Sequence, residues 1–201
     1  MTTRRSPRPE ARKRDSERTR LALLDAATAE FAAKGREGAR VSAIAARAGV
    51  NKQLVSYYFG GKDGLYQAIL DRWAREEQQL AEPGLPLDEL AVRYLESGFA
   101  QPDLQRLFLR ECLVQDVADV APDPDAEELA QLRAAQERGE IAAELDPAFV
   151  LLVLQSIVVA GAQFPGDVKR LTGLDPTSPE YLEYARTQVR RLARRLGEDH
   201  A

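Results

Sequence analysis

The chain has 201 residues, of which 44% are hydrophobic and 30% are charged, and it carries a formal net charge of −4. A chain of this length and composition forms one large globular domain or two small ones. The single cysteine, Cys112, excludes an internal disulfide, so we expect a reducing, cytoplasmic compartment. No apolar segment follows the basic N-terminus, and we therefore expect no secretory signal.

The charge is unevenly divided along the chain. Residues 1–62 contain 14 Lys and Arg against 6 Asp and Glu, a balance of +8, which leaves −12 for the remainder. A basic first third on an acidic body indicates that only the first third approaches a polyanion such as nucleic acid. The alternative is a solvated, charged tail, because much of the excess lies before residue 20.

Apolar residues recur at helical spacing along the chain and no strand pattern persists, which predicts an all-α fold. Residues 1–14 combine prolines with dense charge and predict a disordered basic arm. Gly35, Gly49 and the pair Gly60-Gly61 end the first three helices, and EPGLP at 82–86 marks an internal boundary. The predicted helices span about 15–35, 41–48, 51–58, 62–80, 86–100, 102–119, 125–139, 147–163 and 178–196.

The segment 41–59 has the plan of a helix-turn-helix, in which the second helix enters the major groove of DNA. Ile44, Ala45 and Val55 supply a small apolar wedge between the two helices, with Gly49 in the turn. Lys and Gln suit base edges, because Lys reaches guanine acceptors and Gln pairs with adenine. The alternative is an ordinary helical hairpin whose tyrosines belong to the core or to an interface. The residues left outward are Lys52, Gln53, Leu54, Ser56 and Tyr57.

The segment from Leu23 to Leu70 resembles the DNA-binding domain of the TetR family of bacterial transcriptional regulators. The resemblance implies a three-helix DNA-binding head, residues 15–61, followed by a larger helical domain, residues 62–201, that binds an effector and dimerises. Residues 62–80 are then the connecting helix. The matching residues are Leu24, Ala27, Phe31, Gly35, Ile44, Ala45, Ala48, Gly49, Val50, Val55, Phe59, Lys62 and Leu65.

The resemblance also implies which residues contact DNA. Base-facing positions fall on Lys52, Gln53 and Leu54; backbone-facing positions fall on Tyr57, Tyr58 and Lys62; and Arg40 and Ser42 lie near the start of the preceding helix. The chain departs from the family pattern in two places. Ser56 stands where the family usually has Tyr, and Ala39 replaces the usual Thr or Ser cap. The role of Ser56 stays open, and we expect Tyr57 or Tyr58 to take over its phosphate contact.

The basic arm has two interpretations. Its cationic side chains can follow the minor groove, as the arms of other helix-turn-helix proteins do. It can equally be a disordered tail that keeps the protein in solution. The side chains concerned are Arg4, Arg5, Arg8, Arg12, Lys13 and Arg14.

No catalytic or metal-binding constellation appears in the sequence. The only histidine, His200, lies within the last two residues, and no cluster of His, Cys, Asp and Glu has metal-ligand spacing. We therefore expect no enzyme, no cofactor and no metal. The resemblance implies an effector pocket for a small molecule, although each candidate has an alternative interpretation as a core or interface residue. The candidates are Tyr94, Phe99, Phe108, Cys112, Gln155 and Phe164.

Two helices of the larger domain carry more apolar surface than one core face needs, which predicts a homodimer. The most apolar run, residues 148–162, is too short for a comfortable membrane span. The alternative is that both helices are buried within one subunit. A twofold dimer predicts a palindromic operator. The candidate interface residues are Phe149, Leu152, Val153, Ile157, Tyr181, Ala185, Val189, Leu192 and Leu196.

These observations together predict a cytoplasmic regulator that binds double-stranded operator DNA as a homodimer. We expect a repressor that a small-molecule ligand releases from a palindromic operator. Two alternatives stay open. One is a constitutive regulator whose larger domain only dimerises, and the other is an all-α small-molecule-binding protein that never engages DNA.

Overall fold

The computed structural model describes residues 9–80, 82, 84–114, 116, 118 and 120–197. Within these residues the chain forms ten α-helices and no strand, which confirms the predicted fold class. The helices are α1 Pro9–Gly38, α2 Val41–Arg47, α3 Gln53–Phe59, α4 Lys62–Leu80, α5 Leu87–Ala100, α6 Pro102–Val114, α7 Glu127–Glu137, α8 Pro147–Gln163, α9 Pro165–Thr172 and α10 Pro179–Arg195.

The first helix is longer than the sequence predicts. It begins at Pro9, ahead of the expected start near residue 15, and Lys13 and Arg14 lie exposed on it. Gly35 interrupts it with φ 71° and ψ 171°, a conformation that favours glycine, and the chain resumes helical form as far as Gly38. The rest of the predicted arm, with Arg4, Arg5 and Arg8 and the side chain of Arg12, lies outside the described residues.

Two elements of the larger domain differ from the prediction. Helix α6 ends at Val114 instead of near residue 119, and Leu113 and Val114 are both exposed there. Helix α9 was not predicted at all. Local residue types nevertheless mark both of its ends. Pro165 lies in its first turn, and Gly173 ends it in the left-handed conformation at φ 75°.

The chain divides into two compact units, one through Ala74 and the other from Arg75. The first unit packs α1, α2, α3 and the first part of α4 around a core of side chains with almost no exposure. Phe31 is central to it, and its ring meets that of Tyr66 edge-on at 5.0 Å between centroids. The core includes Leu23, Leu24, Ala27, Phe31, Ile44, Ala45, Val55, Leu65 and Ile69.

The second unit is built around α5, which α10 packs along. Leu87, Ala91 and Leu95 supply the α5 side of this core, and Leu132, Val150 and Leu154 come from α7 and α8. Three arginines of α10 form ion pairs with carboxylates of α5. The pairs join Arg186 to Glu96 at 2.6 Å, Arg190 to Glu89 at 3.3 Å and Arg194 to Asp88 at 2.7 Å.

The structure corrects three residues of the predicted dimer interface. Tyr181, Ala185 and Val189 are buried inside the protomer, in the core shared with α5. These three residues of the apolar stripe of α10 therefore pack on α5 of their own chain. Ile157 and Leu196 are partly buried against the same core.

Among the described residues, no single helix is long and apolar enough to cross a membrane. Helices α8 and α9 reach the required length and composition only as a pair, and they are bent by 88° at the break between them.

Candidate nucleic-acid interface and ligand cavity

The turn between α2 and α3 is fixed by backbone bonds and by one glycine. The Val50 N–H donates to the Ala45 carbonyl at 3.0 Å, and Gly49 adopts φ +67°, which L-residues rarely occupy. Ile44 and Val55 are fully buried on either side of the turn. The predicted wedge is present, and it holds α3 at a set angle to α2.

The start of α3 is capped by a side chain. The Gln53 N–H donates to Asn51 Oδ1 at 2.9 Å, which satisfies one of the free donors of the first turn. The helix ends where Gly60 takes the left-handed conformation at φ 72°. Helix α3 is thus a short, well-bounded element.

Helix α2 has no side-chain cap of its own. Arg40 occupies the N-cap position without a side-chain hydrogen bond, as expected from the Ala39 departure. Glu30 of α1, which was not predicted from the sequence, is only 6% exposed, and its carboxylate accepts a hydrogen bond from Lys34 Nζ at 2.8 Å. Lys34 lowers the pKa of Glu30 below its ordinary value, burial opposes this shift, and the Arg40 backbone N–H adds to it. A buried carboxylate therefore stands near the start of α2 and compensates for the missing cap.

The outward face of α3 carries the predicted DNA-contacting side chains. Lys52, Gln53 and Ser56 are exposed, Tyr57 is 78% exposed, and Leu54 is half-buried. The face therefore offers one cation, one carboxamide and two hydroxyls to a partner. Arg40 and Ser42 are also exposed, at the start of α2.

The two tyrosines of α3 have different surroundings. The Tyr58 hydroxyl lies 3.0 Å from Ser16 Oγ of α1, and the Tyr58 side chain is half-buried. Tyr57 stands on it, ring edge to ring face, at 4.9 Å between centroids. Tyr58 thus ties α3 to α1, whereas Tyr57 projects outward.

Lys62 is engaged within the protein. Its Nζ donates to the Glu37 carbonyl at 3.0 Å and links the start of α4 to the end of α1. Beside it, Arg36 pairs with Asp63 at 3.0 Å. The Glu37 carbonyl is neutral, so the charge of Lys62 is not cancelled by this bond.

Three cations around the helix-turn-helix are not committed to carboxylates. Within the part of the chain that the structure describes, Arg40, Lys52 and Lys62 form no ion pair, whereas the charge of Arg47 acts on the Glu30 carboxylate and lowers its pKa. Other cations of this unit do, as in the pair of Arg72 with Asp25 at 3.0 Å. The unpaired cations are free to neutralise phosphates.

The second unit contains a cavity of about 150 Å³ between α5, α6, α8 and α10. Phe99, one of the pocket candidates, lines it. The cavity also takes in Gln105, Gly98, Gly161 and Tyr181, none of which was a pocket candidate. Glycine inside a helix costs about 1 kcal/mol relative to Ala. Gly98 in α5 and Gly161 in α8 therefore indicate, from the sequence alone, positions where another side chain packs closely against the helix backbone.

The other five pocket candidates do not line this cavity. Cys112, Gln155 and Phe164 are exposed, so the small buried hydrophobe expected at Cys112 is a surface thiol. Phe108 is half-buried on α6. Tyr94 is half-buried on α5, in a separate acidic region.

The acidic region surrounds Tyr94 and Glu77. Burial, with the facing carboxylate of Glu128, raises the pKa of Glu77 to about 7. Burial and the Glu77 carboxylate raise the pKa of Tyr94 to about 12. Glu77 is thus a carboxyl group that titrates near neutral pH.

Four predicted interface residues lie on the surface. Phe149 and Leu152 of α8 are 65% and 60% exposed, and Val153 beside them and Leu192 of α10 are exposed too. Exposed large apolar side chains grouped on one helix are typical of protein–protein contacts.

Comparison with known proteins accounts for both units. Residues 23–69 match the model of the bacterial regulatory proteins of the tetR family. Residues 86–195 match the model of the tetracyclin repressor-like C-terminal domain.

Individual relatives agree over most of the chain. The HTH-type transcriptional repressor SCO4008 of Streptomyces coelicolor is 30% identical over 190 residues, covering 91% of this chain and 97% of its own. The HTH-type transcriptional regulator RutR of Escherichia coli K12 is 30% identical over 164 residues, covering 76% of this chain and 77% of its own. A solved structure, transcriptional regulator SCO4942 of Streptomyces coelicolor, superposes with a TM-score of 0.68 at 29% identity, covering 87% of this chain and 97% of that one. The chain belongs to the TetR family of DNA-binding transcriptional regulators.

Proposed function

We propose that this regulator is a cytoplasmic repressor that binds a palindromic operator as a homodimer and is released by a small molecule. The observation that carries the DNA-binding part is the outward face of α3, where Lys52, Gln53 and Tyr57 are exposed on a helix anchored by buried Val55. A relative named as a transcriptional repressor supports the direction of control.

The polar contacts on this face divide into base readout and phosphate binding. Gln53 and Lys52, at the start of α3, are placed for base edges, since the first residues of a recognition helix reach deepest into the groove. Tyr57 replaces the family tyrosine at the Ser56 position as a hydroxyl donor to phosphate. Tyr58 is unsuited to that role, because its hydroxyl is held by Ser16.

A matched pair of variants tests this division. Tyr57→Phe should weaken operator binding about fivefold through one lost hydrogen bond, with no change in stability. Tyr58→Phe should instead lower the free energy of unfolding by about 1 kcal/mol, since it loses the Ser16 bond. Equal effects of the two variants on DNA affinity would contradict the assignment.

Selection of bound fragments from random DNA tests the operator. It should return a palindrome with half-sites one helical turn or more apart. Gln53→Ala should relax one base position of that sequence, at a cost of about 1–3 kcal/mol for the native site. Lys52→Gln should relax a second base position, and a uniform loss of affinity with a salt slope reduced by about one counterion would move Lys52 from base readout to phosphate. A pool without a shared sequence would refute specific readout.

The exposed apolar face of α8 is the proposed dimer contact. Phe149 and Leu152 would be covered by the same residues of a second copy, as a twofold axis requires, with Leu192 of α10 beside them. Leu152→Glu should convert a dimer into a folded monomer in sedimentation equilibrium and abolish tight operator binding. A protein that is already monomeric at micromolar concentration would count against the dimer.

Release by ligand is proposed as a population shift. A ligand moves the equilibrium only as far as its affinities for the DNA-bound and released conformations differ. The cavity of about 150 Å³ in the second unit supports this proposal, because it gives a small molecule a place to bind. A compound that binds there should reduce operator affinity, and operator DNA should reduce the affinity for that compound by the same factor.

A further inference from the structure

The cavity in the second unit is apolar over most of its wall. Leu95, Phe99, Val158 and Ala162 line it, together with three prolines. Arg106 at its edge pairs with Asp103 at 3.4 Å, so the edge carries little net charge. A cavity of about 150 Å³ holds one aromatic ring.

One polar group in this wall lacks a partner. Gln105 Oε1 is buried and accepts no hydrogen bond among the described residues. A buried carboxamide oxygen without a partner is costly, and most such groups in native proteins are satisfied by protein or by ordered water, whose place a ligand hydroxyl can take. Tyr181 of α10 also lines the cavity.

The backbone makes room for this carboxamide. A methyl group added to Gly98 would come within 2.5 Å of Gln105 Nε2 and 3.3 Å of Val158 Cγ1. A methyl group added to Gly161 would lie 3.1 Å from the Tyr181 ring. Glycine at both positions therefore admits the two polar side chains to the cavity, although Ala would be the better helix former.

We propose that this cavity binds neutral molecules of one-ring size that carry a hydroxyl group, with the Gln105 carboxamide as the hydrogen-bonding partner of that hydroxyl. The apolar wall fits the ring, and a hydroxyl can donate to Oε1 or accept from Nε2, so either orientation of the carboxamide serves. The neutral edge favours an uncharged molecule. This inference rests on the proposed ligand release and names the class of ligand.

Titration calorimetry of the full chain without DNA tests the cavity, with phenol and toluene as a matched pair of probes. Phenol should bind at one site per protomer, and toluene on the order of tenfold more weakly, since it lacks the hydroxyl. In Gln105→Leu the two probes should bind equally. This variant should also unfold at a temperature higher by about 2–4 °C, because it no longer buries an unsatisfied oxygen.

Two further variants keep the outcome decisive. Gln155→Leu changes an exposed glutamine on α8 and should leave both the phenol preference and the unfolding temperature unchanged. Gly98→Ala should push the carboxamide aside and lower the phenol preference, which tests the same contact if Gln105→Leu folds poorly.

Equal binding of phenol and toluene to the native protein would overturn the proposal, and so would a phenol preference that survives in Gln105→Leu and Gly98→Ala. Tighter binding of benzoate than of phenol would assign the cavity to anions instead. The link to repression is measured separately, as operator affinity with and without phenol. Phenol that binds as expected but leaves operator affinity unchanged would uphold the cavity and refute its use as the release site.

Discussion

Glu30 gives the most direct test of how the helix-turn-helix is held in place. We consider Glu30→Gln, which keeps the shape of the side chain and removes its charge. The carboxylate is almost fully buried, contacts Lys34 Nζ at 2.8 Å and stands near the Arg40 N–H at the start of α2. The change therefore removes one ion pair and one negative charge beside a helix N-terminus that has no other cap.

The expected cost follows from these two contacts. An i,i+4 ion pair with one exposed partner contributes about 0.5 kcal/mol. A partly buried carboxylate at a helix N-terminus contributes about 0.5–1.5 kcal/mol. We expect Glu30→Gln to lower the free energy of unfolding by about 1–2 kcal/mol, which shifts the urea midpoint by about 0.5–1 M.

The pH dependence has a definite sign. The folded-state pKa of Glu30 lies below its ordinary value of 4.5, chiefly because of the Lys34 hydrogen bond. Its contribution to stability is therefore complete above that ordinary value and is lost as the pH falls through the folded pKa. The difference between native protein and Glu30→Gln should be constant at neutral pH and should shrink in acid, where the protonated carboxyl resembles the amide.

Urea unfolding followed by circular dichroism measures both effects. Glu37→Gln is the matched control, because Glu37 lies on the same helix with an exposed side chain, and this variant should change the free energy of unfolding by less than about 0.5 kcal/mol. If Glu30→Gln and Glu37→Gln unfold at the same urea concentration at neutral pH, the buried carboxylate does not stabilise α2. A difference that grows as the pH falls would refute the sign of the pKa argument.

Three further outcomes are expected. Gly49→Ala should lower the free energy of unfolding by about 1–2 kcal/mol in the same urea assay, because φ +67° strains an L-residue. Gly166→Ala is the control: this position lies in open space at the start of α9, so the change should be neutral or slightly stabilising. Burial and the facing carboxylate of Glu128 raise the pKa of Glu77 to about 7. Glu77→Gln should therefore stabilise the protein by an amount that grows from pH 4.5 to about 7 and is constant above that. Urea midpoints of the variant and the native protein that do not diverge across this range would contradict the prediction. Val189→Glu should unfold the second unit, since this side chain is buried, whereas Leu192→Glu, at an exposed position on the same helix, should leave a folded protein with weakened self-association by sedimentation.

The local part of the DNA-binding head could be predicted from the sequence. Ile44, Ala45, Gly49 and Val55 lie at spacings that follow from the period of the helix and from the one residue type that accepts positive φ. The outward positions of Lys52 and Gln53 follow from the same period. These features depend on neighbours within a few residues, so the order of residues alone determines them.

The partners of the same residues could not be predicted in this way. Tyr58 and Lys62 were predicted to contact the DNA backbone alongside Tyr57, yet the fold brings Ser16 to Tyr58 and the Glu37 carbonyl to Lys62. These pairs are separated by 25 to 42 residues. No local pattern specifies such a contact.

The second unit shows the same division more strongly. The sequence determined that α10 has an apolar stripe, with Tyr181, Ala185 and Val189 at helical spacing. Only the tertiary structure decided that α5 of the same chain covers it, where Arg186 meets Glu96 across 90 positions. The periodicity of a helix predicts which of its faces is buried, but it does not predict which element covers that face. The choice between a core and an interface, and the cavity beside Gln105, depend on which distant helices meet.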